Sequence, residues 1–250
     1  MNPVLEAKNI SKYYKGPAGS KQVIFENINF SINEENSITS ILTPFGWGKS
    51  TLLRMLSGID RDYTGEILLN GNIINKKLPF IPENPVSLPW LDVIDNVRLV
   101  NSLRLKRDQL SINALQDLID LVGLTGYEDH YPFNKSYGFR FRITLARALV
   151  ISPQIILLDD SLKLMDFETK TEVFGLITKI SLARKIKFIL ASSNITEVDS
   201  ISDKIIFMNK KPGSTAREIL NNKQGLGTFK KEIMELLLDG KVSNTSNYAI

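Results

Sequence analysis

The run ITSILTPFGWGKSTLLRMLSG sets an apolar segment, a turn with two glycines and a Lys-Ser-Thr triplet in that order. Such a run can hold a phosphate. Gly46 and Gly48 let backbone N–H groups converge on an anion with no Cβ in the way. Lys49 reaches toward terminal phosphates, and the Ser50 hydroxyl is a ligand for Mg2+. A helix beginning at Lys49 adds the positive end of its dipole. The pattern G-x-x-x-x-G-K-[ST] asks for glycine where this chain has Thr43. A β-branched residue there costs about 1–3 kcal/mol if the loop demands a positive φ, and nothing if strand-end dihedrals suffice. Downstream, QIILLDDSLKLMD carries four apolar residues into Asp159–Asp160. A buried strand that ends in a carboxylate is one way to hold Mg2+ beside a phosphate loop. Each run alone also fits a plainer reading, a strand–turn–helix containing Gly-Lys-Ser or a strand end with two solvated acids. Lys49 and Asp159 taken together weaken that alternative.

These groups need a scaffold, and the hydrophobic pattern describes one. Short apolar runs read as strands at Val23–Phe30, Ile38–Leu42, Glu66–Leu69, Ile155–Leu158, Lys187–Ala191 and Lys204–Met208. Helical patterns follow at Lys49–Ser57 and Lys170–Ala183. Strands alternating with helices predict an α/β fold with a mainly parallel sheet covered on both faces. From about Asp92 to Val150 no strand is evident, and the pattern gives helices at Val93–Leu103, Ile112–Val122 and Phe139–Val150. That block reads as an inserted helical subdomain, with Pro82, Pro85 and Pro89 before it and Pro132 and Pro153 near its far boundary. The expected division is a core of 1–83 and 151–215, a helical subdomain of 84–150, and a C-terminal part of 216–250. In the last, Phe229–Leu238 reads as an amphipathic helix and Asp239–Ile250 as a frayed polar tail.

Composition removes several functions. With 43% hydrophobic and 23% charged residues in 250, the chain can bury an ordinary core. A net charge of +4, from 31 basic and 27 acidic residues, is too mild to argue for nucleic acid. The absence of cysteine excludes disulfides and thiolate metal sites, and the single histidine, His130, leaves no histidine cluster. The opening MNPVLEAKNISKYYKG holds no signal-peptide run, and the longest apolar stretches are strand-length. The expectation is a cytoplasmic chain whose membrane role comes through a partner.

Several motifs in one order carry a family resemblance over roughly residues 4–210. The aromatic in SKYY, the phosphate loop, the proline-rich loop, FNKSYGFRFRITLARALVISPQIILLDD, LMD and ILASSN resemble an ABC transporter ATPase. The R-x-x-L-A-R-A-L run from Arg142 to Leu149 is especially diagnostic, and ENPVSLPWLDVIDNV, around Pro89–Trp90 and Asn96–Val97, is similar to the nitrate, sulfonate and taurine importer branch. The resemblance implies a P-loop NTPase core, mainly parallel, with an N-terminal antiparallel β portion and the inserted helical subdomain. It implies ATP and Mg2+ as cofactors. Tyr14 would stack on adenine, and Thr43, Pro44, Phe45, Gly46, Trp47, Gly48, Lys49, Ser50 and Thr51 would surround the phosphates. Ser136 and Gly138 would face the γ-phosphate held by a partner cassette. Ser50, Asp159 and Glu83 are the implied metal-side groups, and Asp160, Ser193 and Glu83 the catalytic positions.

Departures from the family pattern gather at hydrolysis. Asp160 stands for the catalytic glutamate; losing one methylene withdraws the carboxylate by more than about 1 Å, and 1 Å can cost on the order of 100-fold. Ser193 stands for the switch histidine and cannot carry its charge. Glu83 stands for the Q-loop glutamine, where it either repels nucleotide or ligates Mg2+ directly. The signature reads Lys135-Ser136-Tyr137-Gly138-Phe139, with the Tyr137 ring where the family keeps no side chain. Two functions stay open: an ATPase driving import of a small solute, or a hydrolysis-poor subunit with a structural or regulatory role in a heterodimer. The implied partners are a membrane permease, a second cassette as homo- or heterodimer, and indirectly an extracytoplasmic solute-binding protein. The implied location is the inner face of the cell membrane. Leu88, Trp90 and Leu91 in the loop from Pro82 suit a docked permease helix; local core packing of Trp90 is the alternative.

Overall fold

The computed structural model describes residues 3–16, 19–44, 46–208 and 216–220. Phe45 and the expected C-terminal helix and tail lie outside the described residues. The chain forms two compact units, one of residues up to Lys77 with those from Ile189 onward, the other Leu78–Phe188.

In the first unit, β1 (Leu5–Lys15) pairs antiparallel with β2 (Lys21–Ile32) and with β4 (Thr64–Leu69), and β5 (Asn72–Ile73) completes the order β2-β1-β4-β5. Leu5, Ala7, Ile10, Phe25, Ile28 and Ile67 are buried from this sheet. Its β1–β2 register slips between Ala7 and Ile10. Asn9 lies within that slip and Asn27 opposite the next one, between Ile10 and Lys12, at φ 51° and 58°, a region asparagine enters more readily than most residues.

A second set of strands carries the phosphate loop. β3 (Ile38–Leu42) is buried at all five positions and runs parallel to β9 (Lys204–Met208), which pairs antiparallel with β10 (Ala216–Leu220). A strand wrapped on both faces has no polar alternation, which is why Ile38–Leu42 reads as a continuous apolar run. After it comes α1 (Lys49–Leu56), with Leu52, Leu53, Met55 and Leu56 buried. Leu42, Val198, Ile205 and Phe207 form one core cluster, with Val198 supplied by α6 (Ile195–Ile201).

The second unit pairs the short β6 (Phe80–Ile81) parallel with β7 (Ile155–Asp159). Three helices, α2 (Val93–Ser102), α3 (Ile112–Leu121) and α4 (Tyr137–Leu149), pack on one another. Val93, Val97, Leu115, Ile119 and Phe141 are buried there. After β7 comes α5 (Phe167–Arg184), and β8 (Lys187–Ser192) carries the chain back into the first unit. Among the described residues, no helix is long and apolar enough to cross a membrane.

Candidate functional site

The phosphate-loop residues sit where β3 hands over to α1. Gly48 caps α1 at φ 88°, ψ 14°, and makes no side-chain cap hydrogen bond. A Cβ on Gly48 would come within 2.6 Å of Ile24 Cγ2 and 2.7 Å of Phe25 Cζ, so dihedral and space both demand glycine. Every other described α-helix has a side-chain cap. Asp92, Ser111, Ser136, Asp166 and Asn194 accept from the first-turn N–H groups of α2 through α6. Only α1 starts on a glycine turn, an arrangement in which an anion supplies the acceptor and meets the helix dipole. Lys49 is buried at its head, and Gly46 precedes it at φ 78°.

Thr43 is not among the described residues with positive φ, so the departure there carries no backbone strain. It is buried, and its hydroxyl donates to the Pro44 carbonyl at 3.0 Å. Pro44 and Trp47 are half-buried. Tyr14 reaches the same loop, its hydroxyl lying 3.3 Å from Thr51 Oγ1. The ring has a cation beside it, with Lys12 Nζ 5.0 Å from its centroid. That ammonium is held at 3.0 Å from Asp60 and 3.3 Å from Asp62. Burial alone would lower the Lys12 pKa, but the hydrogen bonds and charges of the two aspartates outweigh it and leave the group above the ordinary lysine value. Nothing in the sequence pattern singled out Lys12; the signal available was a lysine in a strand with acids some fifty residues away. Ser193, also in this unit, is exposed in the turn between β8 and α6.

The second unit gathers the acids. Asp159 ends β7 and is buried, while Asp160, next in the chain, adopts φ 47°. The positive φ therefore lies at the position that the sequence resemblance matches to the family's catalytic glutamate, and aspartate tolerates the left-handed region better than most residues. Glu83 lies just beyond β6 and forms an ion pair with Lys163, Oε1 to Nζ 2.9 Å. The hydrogen bond to Glu83, its charge and the charge of Asp160 hold the Lys163 pKa above its ordinary value. Among the described residues, no group of three or more His, Asp or Glu side chains is arranged to hold a metal. A magnesium site needs fewer, since phosphates and water complete its shell.

The signature segment starts α4. Ser136 is exposed and caps the helix, its hydroxyl accepting from Phe139 N–H at 3.2 Å. The Tyr137 ring lies against its own helix, with the Arg140 guanidinium 4.4 Å from its centroid. Gly138 serves packing as well as any ligand, because a Cβ there would fall 2.4 Å from Thr169 Cγ2 of α5. Asp166 caps α5, accepting from the Thr169 N–H at 2.8 Å and its hydroxyl at 2.7 Å. The N–H bond, more than any other contact, pulls its carboxyl pKa below the usual range. The proline-rich loop is pinned from two sides. Arg147 Nη1 donates to the Val86 carbonyl at 2.7 Å, and buried Asn96 bonds both the N–H and C=O of Leu88. Trp90 is 69% exposed, so it is not part of a local core.

A buried strand, a glycine-headed helix without a side-chain cap and a second strand ending in a buried acid together define a P-loop nucleotide-binding protein. The model of one family, "ABC transporter", matches residues 25–163. The aliphatic sulfonates import ATP-binding protein SsuB of Bacillus thuringiensis subsp. konkukian is 34% identical over 216 residues, 85% of this chain and 84% of that protein. The spermidine/putrescine import ATP-binding protein PotA of Spiroplasma citri is 31% identical over 236 residues, 90% of this chain and 65% of that protein. Among solved structures, cbiO1 of Clostridium perfringens, described as part of an ABC transporter complex, superposes with a TM-score of 0.76 at 21% identity, over 97% of this chain and 95% of that one. A dimeric bacterial ABC transporter cassette gives 0.73 at 23% identity, over 89% and 100%. The chain belongs to the ABC transporter family, among its ATP-binding subunits.

Proposed function

We propose that this chain is the nucleotide-binding subunit of an ABC importer, which binds Mg-ATP and couples it to uptake of a small solute through a membrane permease. The relatives named for sulfonate import support a sulfonate-like solute, and the exposed Trp90 on its pinned loop supports permease docking. In this reading the loop from Thr43 through Pro44, Phe45, Gly46, Trp47, Gly48, Lys49 and Ser50 to Thr51 takes the phosphates and Tyr14 the adenine. Ser50 and Asp159 would hold Mg2+, which supplies charge neutralisation at the phosphates. Ser136 and Gly138 would serve the nucleotide of a second cassette, since the dimeric relative supports assembly in pairs. The subunit works at the inner face of the membrane, with any solute-binding protein acting through the permease.

The observation that carries this reading is α1, whose first turn, unlike those of the other described α-helices, has glycine in place of a side-chain cap. Isothermal titration should show Mg-dependent ATP binding that Lys49→Ala abolishes. Equal affinity in the two proteins would refute it. A hydrolysis-poor subunit paired with a different cassette is the second reading. Asp160 and Ser193 favour it, because the groups that bind nucleotide are retained while those that activate water are shortened or uncharged.

A further inference from the structure

Lys12 stands at an inward position of β1, where the strand otherwise buries Leu5, Ala7 and Ile10. A methionine or leucine would fill that place without taking a charge out of water, so the ammonium calls for a reason of its own. All three of its protons are spent. It donates to Asp60 Oδ1 at 3.1 Å, to Asp62 Oδ2 at 3.3 Å and to the Asp62 carbonyl. Those acceptors lie in the turn that leaves α1. Ile59 and Asp60 N–H both donate to the Arg54 carbonyl, at 3.0 and 3.1 Å, and Asp60 Oδ1 accepts from Asp62 N–H at 2.9 Å. Tyr14 follows two places on, so its side chain leaves the same face of β1 as Lys12. The ammonium lies 5.0 Å from the Tyr14 ring centroid, and the Tyr14 hydroxyl lies 3.3 Å from Thr51 Oγ1 in the first turn of α1. One ring is therefore held from both ends of the phosphate helix, through Thr51 at its start and through Lys12 and the acidic turn at its end. Tyr14 is 40% exposed and Lys12 3%, so the cation takes the protein side of the ring and leaves the rest open.

We propose that Lys12 is a positioning residue for the nucleobase, fixing the Tyr14 ring against the phosphate helix so that one nucleotide meets both. The inference rests on the nucleotide-binding reading above, and every group in it belongs to the first unit. With its protons committed to Asp60 and Asp62, Lys12 has none to offer a phosphate. It acts through the ring, as a cation facing π density and as the link to the turn after α1. A ring so held loses little freedom when a base stacks on it, whereas a loose tyrosine has to be ordered at the moment of binding. The contribution of Lys12 therefore goes to the base and not to the phosphates.

The test is titration of Mg-ATP, and of Mg-tripolyphosphate, which has no base, into the full chain at a temperature where melting curves show each protein folded. The proteins are wild type, Lys12→Met, Lys12→Gln, Tyr14→Leu and the double variant Lys12→Met/Tyr14→Leu. Lys12→Met should weaken ATP binding about three- to tenfold and leave tripolyphosphate within about twofold of wild type. In the Tyr14→Leu background the same change should lose most of its effect on ATP, since no ring is left to position. Lys12→Gln keeps donors for Asp60 and the Asp62 carbonyl without the charge. It should show the same split between the two ligands with a smaller loss, and it decides the matter if Lys12→Met does not fold. Wild-type ATP affinity in either lysine variant, an equal loss for the two ligands, or the same ATP loss with and without Tyr14 overturns the inference and leaves the nucleotide reading standing. No Mg-dependent ATP binding by the wild type overturns that reading first, and this inference with it.

Discussion

Asn96 spends its whole carboxamide on the loop that precedes its helix. Its Oδ1 accepts from Leu88 N–H at 2.8 Å, and Nδ2 donates to the carbonyls of Leu88, Leu91 and Asp92 at 3.1, 2.9 and 2.8 Å. The side chain is fully buried. Two of those carbonyls have another donor: Leu88 C=O takes Leu91 N–H at 3.2 Å, and Asp92 C=O takes the Asn96 N–H at 3.0 Å. Asn96→Ala therefore falls mainly on Leu88 N–H and Leu91 C=O. Stripping a buried polar group of its partner costs about 1–3 kcal/mol, and both residues are half-buried, so the expected loss is about 2–4 kcal/mol. For a chain of this size that lowers Tm by about 5–15 °C. Asn96→Asp keeps the acceptor but brings a charge into a buried site, so it should do no better. Differential scanning calorimetry of the three proteins measures this directly. A Tm for Asn96→Ala within about 2 °C of wild type would refute the argument that one carboxamide holds the loop.

Hydrolysis by wild type should be slow, and Asp160→Glu with Ser193→His should raise kcat, since a misplaced base and a lost γ-phosphate contact can each remove about 100-fold; a wild-type kcat already near 10 s⁻¹ would refute this. Lys12 gives a pH signature. Its folded pKa lies above the ordinary lysine value of 10.5, so its contribution is complete below about pH 10.5 and is lost as pH rises through the folded value. The stability gap between wild type and Lys12→Met should therefore narrow above about pH 10.5 in urea titrations, and parallel pH profiles would refute the assignment.

The buried parallel strands were legible because burial on both faces leaves a continuous apolar run. Ile38–Leu42 and Lys204–Met208 coincide with β3 and β9. Helix starts were legible to different degrees, and α5 begins at Phe167, before the expected Lys170, although Asp166 caps it. Val93 follows the Asp92 cap and Ile112 the Ser111 cap, whereas α4 begins two residues before the expected Phe139 because Ser136 caps it. β1 was missed as a strand for a physical reason. Its buried positions run Leu5, Ala7, Ile10, Lys12, and the bulge at Asn9 breaks the period of two by which a strand is read. α6 escaped because its seven residues span only two turns and bury two apolar side chains, Val198 and Ile201. The expected helical insertion at 84–150 was drawn from where strands stop. The two compact units follow a different criterion, with β7 and α5 grouped in Leu78–Phe188 beside the helices they follow.

The departures from the family pattern carry a different lesson, because residue type alone gives a wrong ranking of their cost. Thr43 was open to strain or to ordinary strand-end dihedrals, and it is not among the described residues with positive φ, while its hydroxyl donates to Pro44. Tyr137 looked obstructive, yet its ring rests on Arg140 one turn along its own helix. Glu83 was open to repelling nucleotide or to ligating Mg2+, and a lysine eighty residues later in the sequence reaches it, a pairing that no local pattern could reveal. Asp160, judged only as a shortened base, is where the backbone is left-handed. Aspartate enters that region at lower cost than glutamate, because its short carboxylate can bond to the local backbone. The same substitution that withdraws the carboxylate from water thus relieves the turn that the Lys163 N–H closes on the Asp160 carbonyl. That predicts a specific trade. Asp160→Glu alone should lower Tm slightly while raising hydrolysis, and a variant that gained activity with no loss of stability would show that the left-handed turn places no demand on residue 160.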